Sequence, residues 1–156
     1  MAIWRTTGTA QAAVRELRRA LRSTDEQVLV FAVTDCWTLG REARALSGAL
    51  RRLAERSGPD RLARIAAALF CVGAGARVSA GCFRSVLREG THEQQSTALV
   101  WIRSMPPVTR LLARPIADIA EGRTGAPEAL RAAARAVLLT ELDERARRGQ
   151  APRSRR

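Results

Sequence analysis

Lysine is absent, and all 27 basic residues are arginine. That excludes chemistry requiring a side-chain amine, including Schiff bases and the lysine of a phosphate-binding loop. Tyrosine is also missing, and aromatic residues make up only 4% of the chain. A core of Ala, Leu and Val with so few rings suits close-packed helices better than a β-sandwich, so the expected class is all-α. The three cysteines, Cys36, Cys71 and Cys82, form no CxxC and no Cys/His pattern. An odd count argues against a closed disulfide framework, and no metal or other cofactor is expected. The one histidine, His92, opens a predicted helix and reads as a solvated first-turn residue. No GxSxG and no paired-carboxylate cluster is present, so no catalytic residues are assigned and an enzyme is not expected. Arg5 and the polar stretch Thr6 to Thr9 precede no apolar core segment, which is unlike a signal peptide. No apolar run reaches membrane-spanning length, and the expected location is cytosolic or nuclear.

The 156 residues are enough for one domain, and at 46% hydrophobic content they can bury a core. Formal net charge is +12. Six arginines, Arg145, Arg147, Arg148, Arg153, Arg155 and Arg156, lie in the last twelve residues, which hold no acid. A polar, acid-free arginine tail points to polyanion binding. The expected organisation is therefore a folded domain over residues 1–148 and the start of a disordered basic tail over 149–156. Arg147, Arg148, Arg153, Arg155 and Arg156 are the candidate nucleic-acid-binding residues.

Apolar residues Val14, Leu17 and Leu21 predict a helix over 10–22. Ser23, with Glu26 three residues on, reads as a capping box. The β-branched run Val28 to Val33 continues to Trp37 without a turn signal and is read as helix. Leu46, Leu50 and Leu53 stripe a helix over 41–56, and Ser57-Gly58-Pro59-Asp60 breaks it. Leu62, Ile65, Leu69 and Phe70 stripe the next helix, which is expected to kink at Gly73-Ala74-Gly75 and resume to Gly90. Thr91 and Gln94 cap a helix to about Ile102, and Pro106-Pro107 is expected to end it and hold the following chain extended. After a loop over 122–127, a last helix over 127–147 places Leu130, Ala134, Val137, Leu138 and Leu142 on one face. The two striped helices around Gly58-Pro59 should form an antiparallel hairpin. A hairpin alone cannot bury both its faces, so the rest of the domain or a second copy must cover it.

The segment ALVWIRSMPPVTRLLARPI, residues 98–116, resembles the signature of hepadnavirus core (capsid) proteins, in which a helix ends in Trp-Ile-Arg, breaks at Pro-Pro and continues to Pro-Ile. The order of flanking features is similar. Cys36-Trp37 precedes a hairpin with Gly and Pro at its tip, the second arm has a mid-helix glycine, Phe83 to Gly90 closes it, and arginines end the chain. Met105 is inserted before the prolines and no Tyr follows them, so the resemblance is to distant members such as the nackednaviruses of fish. It implies a hairpin that dimerises into a four-helix bundle, with Leu46, Leu50, Leu53, Leu62, Ile65 and Leu69 at the dimer interface. It also implies contacts between dimers through Trp101, Arg103, Pro106, Pro107, Val108, Arg110, Pro115 and Ile116. The implied function is an icosahedral shell, in the virion and host cytoplasm or nucleus, that packages pregenomic RNA for a separate viral polymerase. The alternative from composition is a helical, dimeric DNA-binding regulator, which needs a recognition helix in a tight helix-turn-helix.

Overall fold

The computed structural model describes residues 10–150, with side chains described for residues 11–148. The described residues are all-helical, without a strand among them. Nine α-helices follow in order: α1 Ala10–Ala20, α2 Glu26–Leu39, α3 Ser47–Glu55, α4 Pro59–Cys71, α5 Ala76–Glu89, α6 His92–Arg103, α7 Pro106–Leu111, α8 Ala113–Ala120 and α9 Glu128–Gln150. A 3-10 helix, Gly40–Leu46, links α2 to α3.

Local chemistry sets several boundaries. Asp25, rather than Ser23, caps α2: its carboxylate accepts from the backbone N–H of Gln27 at 2.8 Å and of Val28 at 3.3 Å. Ser23 accepts instead from the Asp25 N–H at 3.0 Å. The expected helix over 41–56 is α-helical only from Ser47, because Gly40, at φ +55, ends α2 and the chain re-enters through the tighter 3-10 turn. Pro59 opens α4 at a position where no N–H is needed. The capping box of α6 is complete, with Thr91 N–H donating to Gln94 Oε1 at 2.8 Å and Gln94 N–H donating to Thr91 Oγ1 at 3.3 Å. The chain turns between α5 and α6 at Gly90, where a Cβ would lie 2.6 Å from the Val86 carbonyl oxygen.

Two further expectations are corrected. The second hairpin arm is not one kinked helix. Gly73 at φ +81 and Gly75 at φ +100 leave the right-handed helical region, α4 stops at Cys71, and α5 folds back to pack along α4. Nor does Pro106-Pro107 hold the chain extended. Proline is compatible with the first turn of a helix, and both prolines stand at the start of α7, preceded by Met105 at φ −127, ψ 73.

The core has two parts that share α4. Leu17, Leu29, Val33, Leu46, Leu50 and Leu53 pack on one side of α4, which contributes Ile65, Ala68 and Leu69, with Val72 just past its end. Phe83, Leu99, Ile102, Leu112, Ile116 and Val137 pack on the other, against Leu62, Ala63, Ala66 and Ala67. α9 closes this second half, lying against α6, α7 and α8. A helix buried on both sides has little room for large side chains, which accounts for the run of alanines in α4.

Candidate assembly and nucleic-acid-binding surfaces

The six residues that the resemblance puts at a dimer interface are core residues of the single chain. Leu46, Leu50, Leu53, Leu62, Ile65 and Leu69 are all at most 8% exposed. A side chain with almost no accessible area in one chain has almost none to bury against a second, so a contact between copies must use other residues. Leu46, Leu50, Leu53, Ile65 and Leu69 pack together with Leu17, Leu29 and Val33 in the first half of the core, and Leu62 lies in the second half.

The segment expected to join dimers is divided between surface and interior. Arg103 and Pro107 are exposed, and Trp101, Pro106 and Pro115 are half-buried. Val108 and Ile116 are fully buried, because α7 and α8 turn them into the second core. Arg110 lies against α9, its Nε 3.0 Å from Oε1 of Glu141. Glu141 is 5% exposed and also pairs with Arg145 at 2.8 Å, so two guanidiniums compensate one buried carboxylate.

An apolar surface that periodicity did not predict lies over α2 and α6. The helix α2 is apolar on both faces: Leu29, Ala32, Val33 and Cys36 are buried, while Phe31 is 57% and Trp37 43% exposed. Trp37 meets Trp101 edge to face, with ring centroids 5.1 Å apart. Beside the pair is a cleft of about 240 Å³ lined by Val30, Thr34, Arg64 and Ala67. Next along α6, Val100 is 71% exposed. The signal available in sequence was the continuous apolar character of 28–37, too apolar for a helix with one solvated face. The α9 face is similarly divided: Leu130, Ala134 and Val137 are buried as expected, but Leu142 is 57% exposed, as is Leu139 at 61%.

The candidate tail residues lie partly outside the described residues, as Arg153, Arg155 and Arg156 do. Arg147 and Arg148 belong to the last turns of α9, and Arg148 pairs with Glu144 at 3.2 Å. His92 is exposed at the first position of α6, as expected. The three cysteines are free. Cys36 has no exposed surface, so its thiol faces the core rather than a partner chain; burial and the neighbouring Asp35 carboxylate push its pKa up to about 12. Among the described residues no group of His, Cys, Asp and Glu is placed to hold a metal ion, and no helix is long and apolar enough to cross a membrane. No known protein family matches the chain, and neither a curated protein nor a solved structure matches it.

Proposed function

We propose that the chain is a self-assembling structural subunit that packages RNA, a capsid-type core protein of the kind its sequence resembles. The observation that carries this reading is the contact between Trp37 and Trp101. Trp101 belongs to Trp101-Ile102-Arg103, in the segment on which the resemblance leans most, and Trp37 to Cys36-Trp37, one of its flanking features. The two rings meet at the surface, in a chain with few aromatic residues, beside a cleft that Arg64 also lines. Exposed rings flanked by arginine are the composition of protein contact surfaces. The contact between copies is thus assigned to the α2–α6 face, with Trp101, Arg103 and Pro107 contributing from the 101–116 segment. The basic tail supplies charge for RNA, and the shell is the place where a separate polymerase would copy it.

Electron microscopy and size-exclusion chromatography of the full chain with RNA test the proposal. Closed particles in the void volume are expected, and Trp37→Ala or Val100→Asp should abolish them while leaving helicity and melting of the single chain nearly unchanged. A native chain that elutes at its 17.0 kDa mass under all assembly conditions removes the reading.

One observation favours the alternative of a DNA-binding regulator. α4 and α5 are joined by the short turn Val72-Gly73-Ala74-Gly75, and α5 exposes Arg77, Arg84 and Arg88. A helix, a glycine-containing turn and a second helix are the ingredients of a helix-turn-helix. It predicts small oligomers, no particles, and preference for one duplex sequence.

A further inference from the structure

The geometry points to a nucleic-acid backbone site on the folded domain itself, on the exposed arginine stripe of α5 that borders the groove between α3 and α5, separate from the basic tail. The inference rests on the nucleic-acid-binding part of the reading above and not on shell formation.

The exposed stripe of α5 is Arg77, Gly81, Arg84 and Arg88, spaced i, i+4, i+7 and i+11. At about 1.5 Å rise per residue, its arginines span roughly 16 Å. The one carboxylate on α5, Glu89, pairs with Arg88, and Arg77 and Arg84 have no ion-pair partner among the described residues. Arg84 donates to the Leu111 carbonyl oxygen at 3.3 Å, which positions the guanidinium without neutralising it. Across the groove, Arg51 of α3 donates to the Ala74 carbonyl oxygen at 3.4 Å and has no acidic partner either. The groove has a volume of about 330 Å³; Arg51 and Glu55 line one side, and Gly81 and Ser85 the other. Glu55 is its one carboxylate.

Two features separate this face from an ordinary solvated charge run. The first is contrast with α9, where four of the five arginines, Arg131, Arg135, Arg145 and Arg148, have a glutamate partner. On α5, Arg84 and Arg88 stand one turn apart, a like-charge spacing that disfavours the helix. The second is Gly81. It occupies the middle of the arginine stripe, and a Cβ there would meet nothing within 4 Å. A glycine in an exposed helix lowers helix propensity, and here it leaves a gap through which a phosphodiester chain can approach the helix backbone between two guanidiniums. Arginine binds phosphate oxygens through paired N–H donors, so Arg77 and Arg84 on either side of Gly81, with Arg51 across the neighbouring groove, suit a backbone without selecting a base.

Anisotropy of a fluorescein-labelled oligouridylate, titrated with the full chain at several salt concentrations, tests the site. Each single-strand phosphate contact contributes about 0.7 to the slope of log affinity against log salt, so Arg51→Gln/Arg77→Gln/Arg84→Gln should lower that slope by about 2. The corresponding lysine variant should keep most of the slope. Tail substitution at Arg153, Arg155 and Arg156 should lower it separately, and the two losses should add. Gly81→Leu, which keeps every charge and removes a helix-weakening glycine, should weaken binding several-fold by filling the gap; it decides the matter if the triple variant does not fold. A matched duplex DNA arm identifies the source of the phosphates. Losses on RNA support the site together with RNA packaging, whereas losses confined to duplex DNA support the site and remove RNA as its ligand. An unchanged slope in the folded triple variant, or native affinity in Gly81→Leu, overturns the site even if particles still form and contain RNA.

Discussion

Leu50 discriminates between a leucine stripe that joins two chains and one that fills a single chain. Its side chain is fully buried among Leu46, Leu53, Ile65 and Leu69 within one copy. Truncation to alanine removes that apolar surface from the core and leaves a cavity, at a cost of roughly 2–5 kcal/mol. For a domain of this size about 1 kcal/mol corresponds to roughly 2–4 °C in melting temperature, so Leu50→Ala should lower the midpoint by about 10 °C. Because nothing in this cost involves a second chain, the loss should be independent of protein concentration. An interface residue behaves otherwise, since stability gained from association is linked to concentration by mass action. The assay is urea and thermal unfolding followed by circular dichroism over a hundred-fold range of concentration. A variant with unaltered unfolding at high concentration, whose only defect is dissociation on dilution, would refute the intrachain assignment and return the leucine stripe to a two-chain interface.

Three further outcomes follow from the same structure. The Cys36 thiol, moved from an ordinary 9.0 to about 12, binds a proton in the folded chain at pH values where the unfolded chain has lost it, so its stabilisation is complete below pH 9 and is lost as pH rises towards 12; a melting series should show a shallower alkaline decline in Cys36→Ala than in the native chain, and equal declines would contradict this. Glu141→Ala removes the carboxylate shared by Arg110 and Arg145, but both guanidiniums reach solvent, so a modest cost of about 1–2 kcal/mol in urea unfolding is expected. Gly75→Ala meets no steric obstacle and is strained only by its φ of +100, so a loss of about 1–3 kcal/mol is expected, against a few tenths if that backbone conformation relaxes.

Residues that act through local chemistry were the most legible in the sequence. The Thr91–Gln94 box, the Gly58-Pro59 break and the arginine-flanked stripes of α1 and α3 each depend on neighbours within one or two turns. Misreadings arose where two local rules compete or where distant packing decides. A Pro-Pro pair both stops one helix and starts another, and at 106–107 it does the two at once. A Gly-Ala-Gly is compatible with a kink or a full reversal, and the choice depends on whether α5 finds a better surface by folding back onto α4. An apolar stripe reports that a face is covered but not by what, so the stripes of 46–69 left both a second chain and the rest of the domain open, and only the resemblance chose between them. Leu142 follows the period of α9 yet extends past the elements that cover Val137, so it remains exposed.

The sharing of α4 has a consequence for synthesis. Translation proceeds from the N-terminus, and residues 10–55 carry half a core whose missing wall is Ile65, Leu69 and Val72. They can close only when α4 has left the ribosome. At that moment α4 presents Leu62, Ala66 and Ala67 on its opposite side, and the groups that cover them, from Phe83 to Val137, have not yet been made. The nascent chain therefore exchanges one open apolar side for another until α9 is complete, and stop codons placed between 75 and 127 should give products that aggregate or are degraded.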